Sequence, residues 1–263
     1  MRKIRQGMWM TVFFLLAALL VSPSAEAKEI KMLFWYPGET GSTAQAQPLL
    51  NAFCEYLSPK IAPDKMTGRY FNNLKEGLLF IKREQPTIGI VSYATWAQNQ
   101  SHMARAELFM ATLPLASGKA TEQYTLAGRE AVMKSLAPQI LASEPLSGPF
   151  VNAELFTIIP ATSTIVQTPQ LLAKLRDIGE GRTNAVAILT PTEAATLAKL
   201  SAPWAKAIKA LAQSKPVPTA RVLLFDQSWS GAPKMKAALS AAGSDPKARD
   251  ILAEMRLKGF TTE

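Results

Sequence analysis

Apolar residues after position 27 recur with two periods, one typical of buried strands and one typical of amphipathic helices. The run 29–36 (EIKMLFWY) is apolar and aromatic and stops at Pro37-Gly38, which predicts a buried strand. Apolar positions three or four residues apart predict a helix over 45–57. A second helix is predicted over 73–83 and a short strand over 87–91. Strands that alternate with helices of this length indicate βαβ units and a largely parallel sheet.

The alternation continues downstream and predicts a second lobe. Further strands are predicted over 124–127, 155–159, 185–189 and 221–225, and amphipathic helices over 234–239 and 247–257. Residues 114–122 are small, polar and without a period, as expected of a connection between lobes. We therefore predict an α/β fold of two lobes with a ligand cleft between them. Lobe 1 would hold residues 28–118 and 223–263, and lobe 2 residues 119–222.

The first 27 residues are predicted to be a cleavable export signal. A basic stub precedes an apolar run over 8–21, and Ala25 and Ala27 form the A-x-A pattern that signal peptidase accepts. The alternative is an uncleaved membrane anchor, but the apolar run is shorter than the roughly 20 residues that span a bilayer. The sequence thus predicts a periplasmic protein that is cleaved after Ala27.

The amino-acid composition argues against several classes of function. Cys54 is the only cysteine, so no disulfide can form within the chain, and its apolar neighbours predict a buried thiol. His102 is the only histidine, and the sequence lacks the clusters that acid–base and metal chemistry use, so we expect no enzyme, metal or cofactor. The formal net charge is +9, but the basic residues are scattered, which argues against nucleic-acid binding.

The first candidate binding residues lie where the first predicted strand gives way to a helix. Tyr36 ends the strand, and the turn after it carries the hydroxyls of Thr40, Ser42 and Thr43. Backbone N–H groups at a helix start, with such hydroxyls, can hold an anionic oxygen without a cation. Glu39 would repel an anion unless it points away or meets a cationic part of the ligand. An ordinary capped turn is an equal alternative, and the G-K-[ST] ending of a nucleotide P-loop is missing.

Three later junctions also follow predicted strands directly. Ligands of open α/β sheets collect at the carboxyl ends of strands, so these turns are predicted to line one crevice. The candidates are polar or aromatic residues at the three strand ends: Tyr93, Thr95, Thr192, Glu193 and Ser228. Each has a structural alternative, since an aromatic residue can simply pack and a glutamate in a first helical turn is favourable with the helix dipole.

Several strings, taken in order, carry a resemblance to a known family. They are 87–93 (TIGIVSY), 113–116 (LPLA) followed by 124–126 (YTL), 180–187 (EGRTNAVA) and 258–260 (KGF). In that order, they resemble four features of one group of periplasmic proteins. These features are the strand before a ligand tyrosine, the crossover into the second lobe, a turn followed by a strand, and the end of the closing helix. The group comprises the solute-binding proteins of phosphate, phosphite and phosphonate uptake, with the type 2 binding-protein fold.

The resemblance implies that Tyr93 faces the ligand and that Glu193 matches an acid that holds the amine of aminophosphonates. Two features depart from the family. Its S-T-S-G phosphonate loop has no clear copy, the nearest segment being 146–149 (LSGP), and Ala232 stands where aminophosphonate binders place a second acid.

The expected function is therefore the capture of a small phosphate-like or phosphonate-like oxyanion by a monomer that delivers it to the permease of an ABC transporter. The alternative is a binding-protein fold with a degenerate cleft that serves a membrane sensor or an assembly partner. A hydrolase of exported phosphoesters is a third hypothesis, and the lack of histidine and carboxylate clusters argues against it.

Overall fold

The computed structural model describes residues 27–39, 41–130, 132, 139–160 and 162–262. The predicted export signal up to residue 26 and the candidate Thr40 lie outside these residues. In the described part of the chain, no helix has the length and apolar character needed to cross a membrane.

The strands and helices are numbered along the chain. The strands are β1 (Glu29–Trp35), β2 (Lys65–Phe71), β3 (Ile88–Val91), β4 (Glu107–Pro114), β5 (Thr121–Glu122), β6 (Thr125–Gly128), β7 (Gln139–Ala142), β8 (Thr164–Gln167), β9 (Ala185–Leu189), β10 (Lys209–Gln213), β11 (Val217–Pro218), β12 (Arg221–Leu224) and β13 (Leu257–Thr261). The helices are α1 (Thr43–Leu57), α2 (Leu74–Glu84), α3 (Tyr93–Gln98), α4 (Gly148–Phe150, continued by a π-helical turn Val151–Leu155), α5 (Leu171–Gly179), α6 (Pro191–Ala198), α7 (Pro203–Ala207), α8 (Ala232–Ala242) and α9 (Pro246–Glu254).

Lobe 1 is built on a six-stranded sheet with the order β13-β4-β12-β3-β1-β2. β1 pairs in parallel with β2 and β3, while β12 runs antiparallel to β3 and β4. Each face of the sheet has its own core: Phe53 of α1 and Leu239 of α8 are fully buried on one face, and Trp35 is fully buried on the other. The carboxyl ends of β1, β2, β3 and β4 consequently share one edge with the start of β12.

Lobe 2 is built on a five-stranded sheet with the order β10-β6-β9-β7-β8. β7, β8 and β9 are parallel, and β6 runs antiparallel to β9, so that Thr125 at the start of β6 is the partner of Leu189 at the end of β9. Apolar residues cover both faces, with Ile140 in one cluster and Ile178 of α5 in the other. The carboxyl ends of β7, β8 and β9 therefore share an edge with the start of β6.

Two crossovers join the lobes. β5 and β11 form a separate two-stranded antiparallel ribbon in which Glu122 is the partner of Val217. The chain passes from β4 of lobe 1 through β5 into β6 of lobe 2, and it returns through β11 into β12. This two-stranded ribbon is the covalent hinge between the sheets.

In the first ninety residues, β1, α1, α2 and β3 lie close to the predicted bounds, but the strand β2 between the two helices was not predicted. Two other predictions are wrong. Residues 155–159 are not a strand, because Leu155 ends the π-helical turn after α4. The string 258–260 does not end a helix, because it lies in β13 and pairs with β4.

The predicted domain boundary after residue 222 falls inside β12, which belongs wholly to the six-stranded sheet. Cys54 is buried, as predicted.

Candidate functional site

The carboxyl ends of the parallel strands in the two lobes lie close together across the hinge. Gly38, in the turn after β1, lies against Ser143, directly after β7. Four carboxyl groups are linked electrostatically in this region: the charges of Glu39, Glu122 and Glu193 act on Glu144, and the charge of Glu39 acts on Glu122. We call these four residues the acidic cluster. They come from the β1 turn, the hinge, the β7 turn and the first turn of α6, so the fold gathers them from both lobes.

Glu144 is the most buried member of the acidic cluster, with 9% of its surface exposed. The hydroxyl of Tyr124, itself 2% exposed, donates a hydrogen bond to Glu144 Oε2 at 2.8 Å. Burial raises the pKa of Glu144 to about 8, although the Tyr124 hydrogen bond opposes this, and the charges of Glu122, Glu193 and Glu39 raise it further. Glu144 is therefore largely protonated at neutral pH.

Glu122 lies on the hinge strand β5 and has a similar environment. Burial raises its pKa to about 7, and the charge of Glu39 adds to that effect. Tyr36 at the end of β1 also lies in this region, and burial together with Glu122 and Glu39 raises the pKa of Tyr36 well above its ordinary range. Two carboxyls that titrate near neutrality thus occupy the hinge side and the lobe 2 side of one cleft.

The largest charge effects on the pKa values of Glu122 and Glu144 come from other carboxyls. Arg256 lies 3.8 Å from Glu39, but both side chains are at the exposed rim. Within the described ranges of the chain, no group of three histidine, cysteine or carboxylate side chains is placed to hold a metal ion. The cluster is thus electrostatically suited to a positively charged organic group.

The candidates from the first junction divide between the cleft and local structure. Tyr36 lies beside the acidic cluster and stacks on Phe34 with ring centroids 4.8 Å apart. Ser42 is the N-cap of α1, where its hydroxyl accepts from the Gln45 N–H at 3.2 Å, so its oxygen already serves the helix. Thr43 is the first residue of α1 and is partly buried.

Three candidates of the second and third junctions, Thr95, Thr192 and Glu193, also make local hydrogen bonds. Ser92 donates to Thr95 Oγ1 at 2.8 Å, and Thr95 is 2% exposed, which places its hydroxyl inside lobe 1. Thr192 lies in the first turn of α6, and its carbonyl accepts from Thr196. Glu193 is in the acidic cluster, but its Oε2 accepts from the Thr190 N–H at 2.9 Å in a capping box. Glu193 therefore acts on the cleft through its charge.

The remaining two candidates lie away from the acidic cluster. Tyr93 points across to lobe 2, where its hydroxyl is 3.4 Å from Glu154 Oε2. Ser228 is wrongly predicted as a cleft residue: β12 is antiparallel to β3, so residues after β12 lie at the opposite edge of the sheet. There Ser228 donates to Asp226, which also pairs with Lys28.

Sequence reasoning missed three residues that define the cleft, namely Glu122, Tyr124 and Glu144. Glu144 follows β7, a four-residue strand (QILA) too short to stand out beside the longer apolar runs. Glu122 lies in a segment whose lack of period indicated only a connection. The signal that could have found Glu144 is the string Ser143-Glu144-Pro145 directly after an apolar run, the same pattern that marked the other junctions.

We call the contact between Gly38 and Ser143 the mouth of the cleft. A groove of about 1230 Å³ lies beside it. Leu78 and Lys82 of α2 line one side, and Gln167 and Pro169 of lobe 2 line the other. Its lining reaches Glu39 but includes neither Glu122 nor Glu144. The groove is therefore distinct from the interior of the cleft.

The contact between Gly38 and Ser143 gives a first testable prediction. Gly38 has φ +91°, and a Cβ atom there would lie 2.4 Å from the Ser143 carbonyl oxygen. A Gly38→Ala variant should therefore be unable to close the mouth, and X-ray scattering should show a larger radius of gyration. The Gly41→Ala variant is the control for backbone strain, because a side chain in a left-handed conformation costs about 1–2 kcal/mol by itself. Gly41 has φ +105°, but a Cβ atom added there would have no neighbour nearer than 3.3 Å. Equal expansion in both variants would contradict the prediction.

Comparisons with solved structures place the chain in one fold class. A protein from Xanthomonas citri, solved with bound chloride, aligns at a TM-score of 0.68 with 12% identity, over 89% of this chain and 91% of that one. The binding-protein component of a phosphonate ABC transporter from Pseudomonas aeruginosa aligns at 0.65 with 10% identity, over 90% and 82%. A periplasmic binding protein of Salmonella typhimurium with high arginine specificity aligns at 0.52 with 10% identity, over 87% and 99%.

These likenesses show the fold: the chain is a two-lobed α/β protein of the periplasmic-binding-protein type, as the sequence predicted. No protein-family model and no curated protein matches the sequence.

Proposed function

We propose that this chain is an exported, monomeric solute-binding protein that closes its two lobes on a small ligand and presents it to a membrane permease. The fold and the approach of the strand ends across a two-stranded hinge support a binding role, because ligands of this class of sheet collect at such ends. Transport of the ligand requires only capture and release. The cleft residues therefore need no catalytic chemistry.

The ligand that suits this cleft carries a positively charged nitrogen, as an ammonium or a guanidinium. The observation that carries this proposal is the buried Glu144, on which the charges of three other carboxyls act. A cation that enters would favour the ionised form of Glu144 and satisfy a charge that is otherwise costly to bury. The hydroxyls of Tyr36 and Tyr124 add polar groups to the same cleft.

The acidic cluster disfavours the oxyanion predicted from the sequence. An oxyanion here would meet Glu144, and the hydroxyls of Ser42 and Thr95 that were expected to hold it are used within their own helices. Glu39 itself lies 3.8 Å from Arg256, a cation of this chain. Arginine specificity in the Salmonella protein supports the view that this fold can hold a cation.

A thermal-shift screen tests the proposal. The purified protein is heated with arginine, lysine, putrescine and aminoethylphosphonate, and with phosphate, sulfate and methylphosphonate, at about pH 8. A ligand at one hundred times its dissociation constant adds about 2.7 kcal/mol, which should raise the melting temperature by about 5 to 11 °C. Citrulline is the matched control for arginine, because it has nearly the same shape without the charge.

The outcomes of the screen separate three cases. A shift with an amine and none with citrulline supports the proposal. A shift with phosphate, sulfate or methylphosphonate alone would overturn the ligand class but keep the binding role. The absence of any shift across a wider set of amines and anions would favour a degenerate cleft that serves a membrane sensor or an assembly partner.

A further inference from the structure

Helix α3 belongs to both lobes. It follows β3 of lobe 1 directly, and Trp96 packs in a lobe 1 cluster around Trp35 and Val91. The opposite side of the same helix packs in lobe 2: Ala94 is 1% exposed within the apolar cluster of that lobe, and Tyr93 and Ala97 pack against it. A helix of six residues thus buries one side in each lobe.

Hydrogen bonds fix α3 to lobe 2. The Gln98 amide nitrogen donates to the Pro145 carbonyl at 3.1 Å, and its Oε1 accepts from the Ser147 N–H at 2.7 Å. Ser147 is the N-cap of α4, so Gln98 satisfies backbone groups at the start of a lobe 2 helix. These backbone groups would lose their partners if α3 left lobe 2, which makes the separation unfavourable.

Tyr93 adds further contacts between α3 and lobe 2. Its ring lies 6.2 Å from that of Phe150 in α4, and its hydroxyl is 3.4 Å from Glu154. The Arg221 guanidinium lies 5.8 Å from the rings of both Tyr93 and Trp96. Since Arg221 begins β12, shortly after the hinge strand β11, α3 lies next to the covalent hinge.

The opposite edge of the cleft is held differently. At the mouth, the Gly38 N–H donates to the Asn72 carbonyl within lobe 1 at 3.1 Å, and the Ser143 carbonyl accepts from Gln167 within lobe 2 at 3.1 Å. Both groups are satisfied inside their own lobes. The contact between Gly38 and Ser143 is therefore a van der Waals contact that can separate without loss of those hydrogen bonds.

From these contacts we propose that α3 is a third hinge element, which stays on lobe 2 when the cleft opens. The crossovers and α3 together form the edge about which the lobes rotate, and opening occurs at the Gly38–Ser143 mouth. This inference rests on the proposed binding function, since it assumes that the cleft opens.

The test is a set of distance distributions between spin labels in the ligand-free protein. One pair spans the mouth (Lys75→Cys with Gln170→Cys), and one spans the α3 edge (Gln100→Cys with Pro149→Cys). A third pair within lobe 1 (Lys75→Cys with Glu55→Cys) measures the width due to the labels alone. All five positions are exposed, whereas Cys54 is buried and its pKa is raised to about 12 by burial, so the native thiol does not take up label.

The mouth pair should give a distribution at least about twice as wide as the lobe 1 pair, and the α3 pair should be as narrow as the lobe 1 pair. Equal broadening at the mouth and at α3 would overturn the role of α3 while leaving an opening cleft and the proposed function intact. Narrow distributions for all three pairs would overturn opening itself, and with it both proposals.

Discussion

Replacement of Glu144 by glutamine should weaken the binding of an ammonium or guanidinium ligand about 30-fold to several thousand-fold. Removal of one partner from a buried charge pair costs about 2–5 kcal/mol, and each 1.4 kcal/mol is a factor of ten in affinity. Glu144 is the deepest carboxyl of the acidic cluster, so its charge should contribute most to binding. Calorimetric titration of both proteins with the amine selected by the screen gives the ratio directly.

Glutamine is the appropriate replacement because it keeps the shape of the side chain. Its amide oxygen can still accept the hydrogen bond that Tyr124 donates at 2.8 Å, so the fold should be retained. Glu130→Gln is the matched control, because Glu130 is exposed just beyond β6, at the far end of that strand from the cleft. Equal affinities for wild-type protein and Glu144→Gln would show that the cation does not bind beside this carboxyl.

The free energy of unfolding of the ligand-free protein should fall as pH rises from about 5 to 8. The pKa values of Glu122 and Glu144 are raised from 4.5 to about 7 and about 8 in the folded state, so the folded protein holds protons that the unfolded chain has released. Each such proton gives a slope of about 1.4 kcal/mol per pH unit, so two give at most about 2.7. Stability from the protonated carboxyls is complete below about pH 4.5 and is lost as pH passes the folded pKa values.

Urea unfolding at several pH values in this window measures the slope. Carboxyls with a lowered pKa, such as Asp245 at about 2, act only at more acid pH and do not interfere. A variant with both Glu122→Gln and Glu144→Gln should show a nearly flat profile. A stability that rises with pH in the wild-type protein would mean that these two carboxyls are ionised and paired in the folded state.

Elements with a clear local period were predicted, and elements without one were missed in both lobes. β1 and α1 are long enough for their apolar periods to be read locally, and the polar turn between them marks a strand end. In lobe 2 the apolar run of β9 was predicted with its observed bounds, whereas the four-residue strands β7 and β8 were missed. β13 could not be predicted either, since it pairs with β4 about 145 residues earlier and has little local signal.

The candidate residues at strand ends fall in different parts of the structure. Tyr36 lies beside the acidic cluster, and Glu193 is one of its members. Ser228 was misplaced because sequence does not show that β12 runs antiparallel to its neighbours, which reverses the edge at which its end lies. Hydroxyls at helix starts were predicted to bind a ligand, but Ser42 and Thr95 accept or share hydrogen bonds within their own turns.

The charge of the cleft could not be predicted because it depends on tertiary structure. The four residues of the acidic cluster span more than 150 positions, and they lie in a chain with a net charge of +9. Only the fold brings the charges of Glu39, Glu122 and Glu193 to bear on Glu144. A sequence that is basic overall can therefore gather carboxyl groups in one region of the fold.

The most direct test of a cation-binding cleft is the proton balance of binding. Calorimetric titration with the selected amine at about pH 7, in two buffers of different ionisation enthalpy, gives the number of protons released per ligand. Because Glu144 has a pKa of about 8 and should ionise beside a cation, the expected result is proton release that is smaller by close to one proton in Glu144→Gln, the remainder coming from Glu122 with its pKa of about 7. Proton uptake on binding, or tight binding of phosphate with no binding of any amine, would contradict the account.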